Sequence, residues 1–418
     1  MIASVPPLID TVPPLVGVFV TLGDALLAAG QQFGDREACV DGTRRLSFAQ
    51  WARASSSLAR ELRDRGVGPG DIVSILLPSS ADYAIAYGAI TLAGAIASGI
   101  NLRLGAYEVA AIFERARPAA VFVDSDASAF SVPEAAFVID RSELAQLCAG
   151  EPIGCVAPNR EAADAAVIIW TSGTTGTPKG SWFDHRNLYA AVASAGVMSA
   201  PFDRKLSGTP FAHAGFMAKV WDQLAWASTL VISPTPWTAA SMLQLLVDER
   251  ITVAGGVPTQ WSKLLELPGV VDADLSALRV GLVATAPASP ELIERVAASI
   301  GCPLVVRYAM TESPSITGTE CDDSAHAQSR TVGRPQRGME VSLIDDDGAP
   351  VTQVTVGRAT DMYIRGGYNV YPLEVENVLA EHTGVSAVAI VGMPADVIGE
   401  VGVAFVVPID IAEPPTLE

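Results

Sequence analysis

The segment Thr171–Gly180, TSGTTGTPKG, says most about the fold and chemistry of this chain. Its ten residues include five hydroxyl side chains, three glycines and a lysine. The preceding residues, Ala166–Trp170, are apolar and partly β-branched, which predicts a buried strand. A strand that runs into such a loop is typical of phosphate binding, because glycines let the backbone approach and N–H, hydroxyl and ammonium groups donate to oxygens. The Walker A order is absent, since Gly180 follows Lys179. The alternative interpretation is a flexible surface loop.

Length and charge limit the class of protein. The chain has 418 residues, half of them hydrophobic, which predicts two or more domains with ample material for a core. Its formal net charge of −19 argues against nucleic acid as a partner, because binding of phosphate backbones needs basic surfaces. An acidic substrate must then be bound by local donors. The charge itself is also explained by solubility alone.

Cysteine spacing and apolar runs bear on location. The five cysteines lie far apart without a C-x-x-C pair, which favours reduced thiols over a disulfide framework or a zinc site. Met1–Val20 lacks a basic region, so we expect no signal peptide and a cytoplasmic protein. Tyr83–Ile100 is an uncharged run long enough to span a membrane, but it is rich in Ala and Gly. We predict a buried helix followed by a strand there, and no integral membrane segment.

Short apolar runs alternate with amphipathic stretches over the first two-thirds of the chain, which predicts an α/β fold with a parallel sheet covered by helices. The predicted strands are Ile72–Leu77, Ala119–Val123, Val167–Trp170, Leu230–Ile232, Val280–Val283 and Leu304–Val306. The predicted helices are Leu46–Arg65 with a Ser47/Gln50 capping box, Thr238–Arg250, and Pro290–Ile300 with Ser289 as N-cap. Ligands of such sheets bind beyond the carboxyl ends of the strands.

The character of the sequence changes near Gly338. Met339–Ile344 is predicted to be a strand, and Asp345–Gly348 (DDDG) a hairpin turn. A metal site is the alternative for the three aspartates, but adjacent residues in a turn do not converge easily on one ion. A second, smaller unit is expected to begin near Arg358.

Four further motifs extend the pattern of the first loop: TPFAHAGFM (Thr209–Met217), YAMTES (Tyr308–Ser313), VGRPQRG (Val332–Gly338) and GRATDMYIRGGYNVYP (Gly357–Pro372). In this order and spacing the chain resembles the adenylate-forming (AMP-binding) superfamily, and RGGYNVYPLEVE is most similar to the acyl-CoA synthetase branch. The resemblance covers nearly the whole chain. It implies a large N-terminal domain of mostly parallel sheets with a partial β-barrel-like subdomain (1–356) and a small α+β C-terminal domain (357–418).

The resemblance also implies a reaction. ATP and a carboxylic acid give an acyl-adenylate and pyrophosphate, and a thiol, usually that of coenzyme A, then takes the acyl group. A carboxylate attacks a polyanion here, so Mg²⁺ and hydrogen-bond donors must neutralise the phosphates. The sequence does not specify the oligomeric state, or whether the thiol belongs to coenzyme A or to a carrier protein.

Site residues are carried over from the resemblance by position. Tyr308 would lie against adenine, Thr311 would contact the α-phosphate, and Glu312 would bind Mg²⁺. His213 would line the acyl and thiol channel, although a lone histidine in this setting is often structural. The β- and γ-phosphates would be held by Thr171, Ser172, Gly173, Thr174, Thr175, Gly176 and Lys179. Ala286 and Pro287 would form the turn beside adenine, and Arg358 would contact ribose.

The acid is expected to be apolar. Relatives that activate amino acids carry an aspartate where this chain has Ala212, and without that anion an ammonium group has no partner. Ala254–Thr259 (AGGVPT) matches the acyl-pocket strand, and its glycines leave room for a bulky or long acid. We predict a fatty, alicyclic or aromatic substrate.

The chain departs from the family pattern at two places. Val351–Val356 leads directly to Gly357, so the block that holds a ribose-binding aspartate in relatives has no counterpart. No lysine follows Lys263, whereas relatives use a lysine in the C-terminal domain. We therefore expect the C-terminal domain of this chain to be truncated. Loss of these two charged contacts predicts much slower adenylation. Three hypotheses remain open: an acyl-CoA ligase with reduced activity, a non-catalytic nucleotide- or acyl-binding protein, and a degenerate gene product.

Overall fold

The computed structural model describes residues 12–124, 130–154, 160–171, 178–286, 288–345, 349–350, 363–365, 368–370, 372–380, 382–395, 399–410 and 415. The chain forms two compact units, Met1–Glu340 and Val341–Glu418. The predicted domain limit at 356/357 stays a prediction.

The strands of the first unit form two sheets, and most of them are four to seven residues long. In chain order they are β1 (Glu37–Asp41), β2 (Arg44–Ser47), β3 (Ile72–Leu76), β4 (Ile96–Gly99), β5 (Ala120–Val123), β6 (Phe137–Asp140), β7 (Ala165–Thr171), β8 (Lys179–Asp184), β9 (Arg204–Ser207), β10 (Thr229–Ile232), β11 (Val253–Gly256), β12 (Val280–Val283), β13 (Leu304–Met310), β14 (Ser313–Gly318) and β15 (Arg334–Pro335).

The larger sheet has nine strands in the order β15-β14-β13-β12-β11-β9-β10-β1-β2. Its six central strands, from β13 to β1, run parallel, and antiparallel strands flank them. The smaller sheet has the order β6-β5-β3-β4-β7-β8 and is parallel except for β8. Parallel neighbours place their carboxyl ends at one edge, so each sheet has one edge suited to a ligand.

Helices connect the strands of the first unit. They are α1 (Leu22–Phe33), α2 (Phe48–Asp64), α3 (Ala81–Ala93), α4 (Ala106–Ala116), α5 (Leu144–Leu147), α6 (His185–Ala193), α7 (Ala214–Met217), α8 (Val220–Ala225), α9 (Ala239–Asp248), α10 (Pro258–Leu265), α11 (Pro290–Ile300) and α12 (Ala325–Arg330). The predicted capping box of α2 forms, since Ser47 and Gln50 exchange hydrogen bonds, and Ser289 caps α11.

Burial explains why the uncharged run after Tyr83 is not a membrane span. Helix α3 is buried on all sides, and Gly94 ends it in the left-handed conformation at φ 81°, before β4 begins. Within the described ranges, no helix combines the length and hydropathy that a membrane span requires. The prediction of a buried helix followed by a strand is confirmed.

The second unit is small and mixed. It contains β16 (Tyr363–Arg365), β17 (Tyr368–Val370), α13 (Pro372–Ala380), β18 (Val385–Ala395) and β19 (Gly399–Pro408). Its sheet is antiparallel in the order β17-β16-β19-β18. A large α/β unit and a small α+β unit were both predicted, and both are confirmed.

The predicted strand Met339–Ile344 is wrong. Those residues form no strand, and the one bridge there joins Ile344 to Pro350 in antiparallel fashion. The amide of Asp345 donates to the Ala349 carbonyl and that of Ala349 to the Asp345 carboxylate. A single bridge gives an apolar run too few backbone partners to become a strand. Asp346–Gly348 and the segment expected to complete a barrel, 351–362, lie outside the described residues.

Candidate active site

The predicted site segments lie along the carboxyl edge of the parallel part of the nine-stranded sheet. Because β9, β11, β12 and β13 are parallel neighbours, the chain leaves them at the same edge. The segments that follow are TPFAHAGFM after β9, VPT after β11, the Ala286 turn after β12 and Thr311–Glu312 after β13. Motifs about 100 residues apart in the chain are thus brought to one edge.

Two of these strand ends approach each other closely. A side chain at Gly208, just after β9, would place its Cβ 2.5 Å from the carbonyl oxygen of Gly255 on β11. Only a glycine permits this backbone approach. The segment that leads to His213 is therefore held beside the small-residue strand that was predicted to line the acyl pocket.

Three residues that were predicted to contact ATP or Mg²⁺ lie at or next to the turn between β13 and β14. Strand β13 extends four residues beyond the predicted end at Val306, so Tyr308 lies on the strand, where it is 38% exposed. Met310 pairs with Ser313, which leaves Thr311 and Glu312 as the two-residue connection. Glu312 is exposed, so its carboxylate is available to a ligand.

A single exposed carboxylate fits one kind of metal site. No group of three or more His, Cys, Asp or Glu side chains in the described residues could hold a metal ion. Mg²⁺ commonly takes one or two carboxylates and completes its octahedron with water and substrate phosphates. Glu312 suits that mode of binding, and a cage made of protein ligands alone is not present in the described part of the chain.

The base of the first loop is a β-hairpin. Thr171 ends β7, Lys179 begins β8, and the two residues pair directly, with the Thr171 hydroxyl 3.4 Å from the Lys179 carbonyl oxygen. Trp170 donates from Nε1 to Ser98 Oγ at 2.9 Å, which fixes β7 against β4. Lys179 is exposed. The sequence analysis treated Lys179 as a loop residue, whereas it starts a strand.

Some predicted residues cannot be compared with the structure. Ser172, Gly173, Thr174, Thr175, Gly176, Pro287 and Arg358 lie outside the described residues. Ala286 is described and exposed, and it follows Thr285, whose φ of 72° is in the left-handed region. A β-branched residue rarely adopts that conformation, and such outliers are enriched at functional sites.

His213 links the two sheets. It occupies the N-cap position of the short helix α7, and its Nε2 lies 3.0 Å from Nδ2 of Asn101, which follows β4 of the six-stranded sheet. Partial burial of the ring, and then the positive charge of Arg103, lower the pKa of His213 below its ordinary value. A neutral imidazole is therefore favoured at neutral pH. The sequence analysis missed Asn101, although a polar residue directly after a buried strand is a usable signal.

An apolar cluster lies behind His213. Phe211 is buried and stacks on Phe216, with ring centroids 3.8 Å apart, and the Tyr83 ring meets Phe211 edge-on. Ala212 is buried and brings no charge to this place. Ala212 therefore offers no anion that could pair with an ammonium group.

Lys219 is a second residue that the sequence analysis did not single out. It follows α7, and its Nζ donates to Ser315 Oγ on β14 at 2.7 Å. Burial lowers the pKa of this ammonium to about 8, and Lys205 and Arg307 act in the same direction while Asp222 opposes them. This bond joins the His213 segment to the strand that starts after Glu312.

Comparisons with known proteins agree with this arrangement. Residues 26–371 match the family model described as "AMP-binding enzyme", and residues 374–417 match "AMP-binding enzyme C-terminal domain". The chain is 30% identical to the 3-[(3aS,4S,7aS)-7a-methyl-1,5-dioxo-octahydro-1H-inden-4-yl]propanoyl:CoA ligase of Rhodococcus jostii, which covers 93% of the chain and 88% of that protein.

Two further matches name other acids. The chain is 30% identical to feruloyl-CoA synthase of an Amycolatopsis species, over 88% of the chain and 85% of that protein. It superimposes on a fatty acyl CoA synthetase structure from Mycobacterium tuberculosis with a TM-score of 0.76 and 25% identity, over 93% of the chain and 88% of that structure. The alignment with the Rhodococcus ligase spans 462 residues, more than the 418 of this chain. That ligase therefore has internal residues without counterparts here.

Proposed function

The chain belongs to the AMP-binding enzyme family, and on that premise we propose that it activates a carboxylic acid with ATP and transfers the acyl group to coenzyme A. Its enzyme class is that of the AMP-forming acyl-CoA ligases. Family membership implies ATP and coenzyme A as substrates, while the need for Mg²⁺ is part of the proposal. A cytoplasmic location stays a prediction.

One observation supports the proposal most directly: the segments after β9, β11, β12 and β13 meet at one sheet edge. This arrangement puts an aromatic face, a hydroxyl, a carboxylate and an imidazole on adjacent strand ends, which suits a nucleotide and an acid bound side by side. Four polar turns that meet at the carboxyl edge of a parallel sheet are more typical of a ligand site than of a purely structural role.

The first step is attack of the acid's carboxylate on the α-phosphorus, with pyrophosphate leaving. We assign the β- and γ-phosphates to the loop between Thr171 and Lys179, where the lysine supplies charge and the hydroxyls supply donors. Thr311 would donate to an α-phosphate oxygen, and Tyr308 would cover one face of adenine. Ala286, Pro287 and Arg358 complete the proposed nucleotide contacts.

Glu312 would hold Mg²⁺ together with phosphate oxygens and water. When bound, the ion neutralises phosphate charge, which lowers the barrier for an anionic nucleophile. The exposed position of Glu312 at a two-residue turn lets its carboxylate approach a phosphate without displacing protein partners.

In the second step the thiol attacks the acyl carbonyl and AMP leaves. We propose that His213 lines the path of the thiol. Its lowered pKa favours a neutral ring at neutral pH, and its Nε2 accepts from Asn101. The ring therefore forms no ion pair with an incoming thiolate. The apolar cluster of Phe211 and Phe216 packs behind this ring.

The acid is proposed to be apolar and ring-containing. Relatives named for a fused-ring propanoate and for ferulate are each 30% identical to this chain. We propose that the small residues at the end of β11 line the acyl pocket. Fatty acids are the remaining class, in agreement with the fatty acyl synthetase match.

A second candidate is a protein that binds the nucleotide and acid but adenylates slowly. Val351–Val356 runs directly into Gly357, without the ribose-binding aspartate that the resemblance places before that glycine, and the longer alignment agrees. A missing charged contact in a transition state lowers rates by about two to three orders of magnitude. Reduced activity is therefore part of the proposal.

Acid-dependent ATP–pyrophosphate exchange tests the function. We expect exchange with Mg²⁺ and a pool of ring-containing and fatty acids, and its loss in Lys179→Met, while exposed Lys263→Met serves as the control. If the wild type and Lys263→Met show no exchange, but MgATP raises the melting temperature of the wild type, the binding-only candidate is favoured. If the protein shows no exchange and is not stabilised by MgATP, both candidate functions are overturned.

A further inference from the structure

A cleft lies at the far end of the carboxyl edge of the six-stranded sheet. It is lined by residues of β2, α2, α3 and α5 and by residues at the ends of β5 and β6. Its volume is about 820 Å³. Sites for small molecules commonly have volumes of roughly 300 to 1,000 Å³. The described lining includes none of the residues proposed above to contact ATP, the acid or the thiol.

The topology of the sheet explains why a cleft opens here. Strands β3 and β5 are parallel neighbours, but the chain leaves β3 towards β4 on one side and leaves β5 towards β6 on the other. Open α/β sheets bind ligands beyond the carboxyl ends of strands at such a switch point. Asp124 directly follows β5, and Asp82 lies in the first turn of α3, which follows β3. Both residues line the cleft.

Two arginines hold the ends of these strands together. Arg141, which directly follows β6, donates from Nε to Asp82 and from Nη1 to Asp124, each at 2.8 Å. Arg44 donates from Nη1 to the second oxygen of Asp82 at 2.6 Å. The side chains of Asp82 and Asp124 are only 13% and 16% exposed. Both carboxylates are therefore engaged by guanidinium groups of the protein.

The third acid of the cleft is also engaged. Asp140 accepts from the amide of Ser142 at 2.8 Å and from its hydroxyl at 2.6 Å. These hydrogen bonds lower the pKa of Asp140, so its carboxylate stays ionised at neutral pH. Each acid that lines the cleft thus already accepts from a donor.

Several hydrogen-bond donors in the cleft are unused. Arg53 of α2 is exposed, and its guanidinium makes no hydrogen bond or ion pair among the described residues. Gln50, one turn earlier, accepts at Oε1 from the amide of Ser47, and its amide nitrogen is unused in the described part of the chain. A guanidinium carries five N–H donors and no acceptor. The unused capacity is therefore mostly that of donors, which favours an anion as ligand.

The cleft also has an apolar wall. Leu46, Ile85 and Leu144 line it from β2, α3 and α5 and are 6%, 2% and 2% exposed. Ala54 of α2 and Ala145 of α5 contribute small side chains to the same cleft. Apolar side chains beside an unpaired guanidinium suit a ligand that has both an apolar body and a charged head.

We propose that this cleft is a second ligand site, which binds a small organic anion: a carboxylate or a phosphate joined to a short apolar body. Arg53 and Arg44 bind the head, and Leu46, Ile85 and Leu144 contact the body. The ends of β5 and β6 lie two and three strands from β4, which carries the proposed reaction site, and this corresponds to roughly 10 to 15 Å. The inference goes beyond the proposed function and does not depend on it.

Binding calorimetry on the full chain tests this inference with three compounds that share one apolar body. They are 4-phenylbutanoate, 4-phenylbutyl phosphate and the uncharged 4-phenylbutan-1-ol. We expect at least one of the two anions to bind about tenfold or more tightly than the alcohol, as for a hydrogen bond to a charged group. The carboxylate and phosphate arms identify the head group.

Two variants change different properties of the cleft. Arg53→Gln removes an exposed charge that has no partner among the described residues, and it should weaken anion binding about tenfold. Ala145→Trp retains every charged group and fills the cleft, so it should block binding there. Arg295→Gln, an exposed arginine on α11, is the matched control and should bind as the wild type does. Each cleft variant tests the inference if the other fails to fold.

Phenylbutanoate also resembles the proposed acid substrate. A component of its binding that persists unchanged in both cleft variants belongs to another site, and only the component that depends on Arg53 and Ala145 belongs to the cleft. The inference is overturned if a folded cleft variant retains all of the anion binding. It is equally overturned if the alcohol binds as tightly as both anions, or if no compound binds at about 1 mM, the limit of weak specific affinity.

Pyrophosphate exchange separates this inference from the proposed function. Arg53→Gln and Ala145→Trp should retain the exchange activity of the wild type, because both residues lie outside the proposed reaction site. Anion binding in the cleft without exchange by any protein would retain the inference and reject catalysis. Exchange without anion binding in the cleft would retain the ligase and reject the second site.

Discussion

Asn101 Nδ2 and His213 Nε2 lie 3.0 Å apart, so a residue at the end of one sheet fixes the imidazole at the end of the other. The Asn101 Oδ1 accepts from the amide of Arg103 at 3.0 Å, which turns the amide nitrogen toward the histidine. An amide nitrogen only donates, so Nε2 must accept, and the ring proton is placed on Nδ1. The tautomer of His213 is thus determined by Asn101.

Replacement of Asn101 by alanine should free Nε2 for protonation. We expect the pKa of His213 to rise toward its ordinary value and thioester formation to slow about tenfold, because a mispositioned ring no longer lines the thiol path. Histidine NMR can follow the titration, since the chain has four histidines. An unchanged His213 titration in Asn101→Ala would show that the contact does not set the protonation state.

Glu312→Gln should remove the Mg²⁺-dependent step. The amide keeps the size of the side chain but loses the negative charge that attracts the ion. We expect exchange to fall at least about 100-fold, as for other single electrostatic contacts in transition states, and part of the loss to be recovered at high Mg²⁺ concentration. Glu294→Gln, an exposed acid on α11, is the matched control and should leave exchange intact.

Lys219→Met should stabilise the fold at neutral pH. The pKa of Lys219 is lowered to about 8 in the folded chain, so the unfolded chain binds a proton more readily. Stability then rises with pH from about 8 to about 10.5, and the cost of desolvating the cation is fully present below pH 8. The variant should melt at a higher temperature than the wild type at pH 7, and the difference should shrink above pH 8. A lower melting temperature at pH 7 would contradict this account.

Acid should destabilise the first unit through His185. This residue is 3% exposed, and its Nδ1 accepts from the amide of Leu22 at 3.2 Å. Burial, and then the charge of Arg160, lower its pKa from 6.5 to about 4, so the unfolded chain gains a proton that the folded chain refuses between those values. Unfolding free energy should fall by on the order of 3 kcal/mol as pH decreases through that window.

Urea denaturation at pH 7 and pH 4.5 measures the effect. His185→Gln should remove much of the difference between the two pH values, at the expense of stability at pH 7 from altered packing against Trp221. His326→Gln is an exposed control and should behave as the wild type. Equal pH dependence in all three proteins would mean that other groups cause the acid sensitivity.

Sequence predictions succeeded where the structure depends on neighbours in the chain and failed where it depends on contacts between distant residues. The Ser47/Gln50 capping box and the strand β12 were predictable, because caps and short apolar runs are determined by neighbours in the chain. Met339–Ile344 was predicted as a strand from the same local pattern and is not one, since a strand also needs partners. The extension of β13 to Met310 depends likewise on pairing with β14.

The sequence alone determined the family and the α/β class and supplied the candidate site residues, because ordered motifs and alternating apolar runs are properties of the linear chain. Only the tertiary structure showed that Asn101 sets the tautomer of His213 and that Lys219 reaches Ser315, a residue 96 positions away. Such contacts join strands from different parts of the chain, and their geometry depends on sheet order and register. Neither can be obtained from the spacing of residues along the sequence.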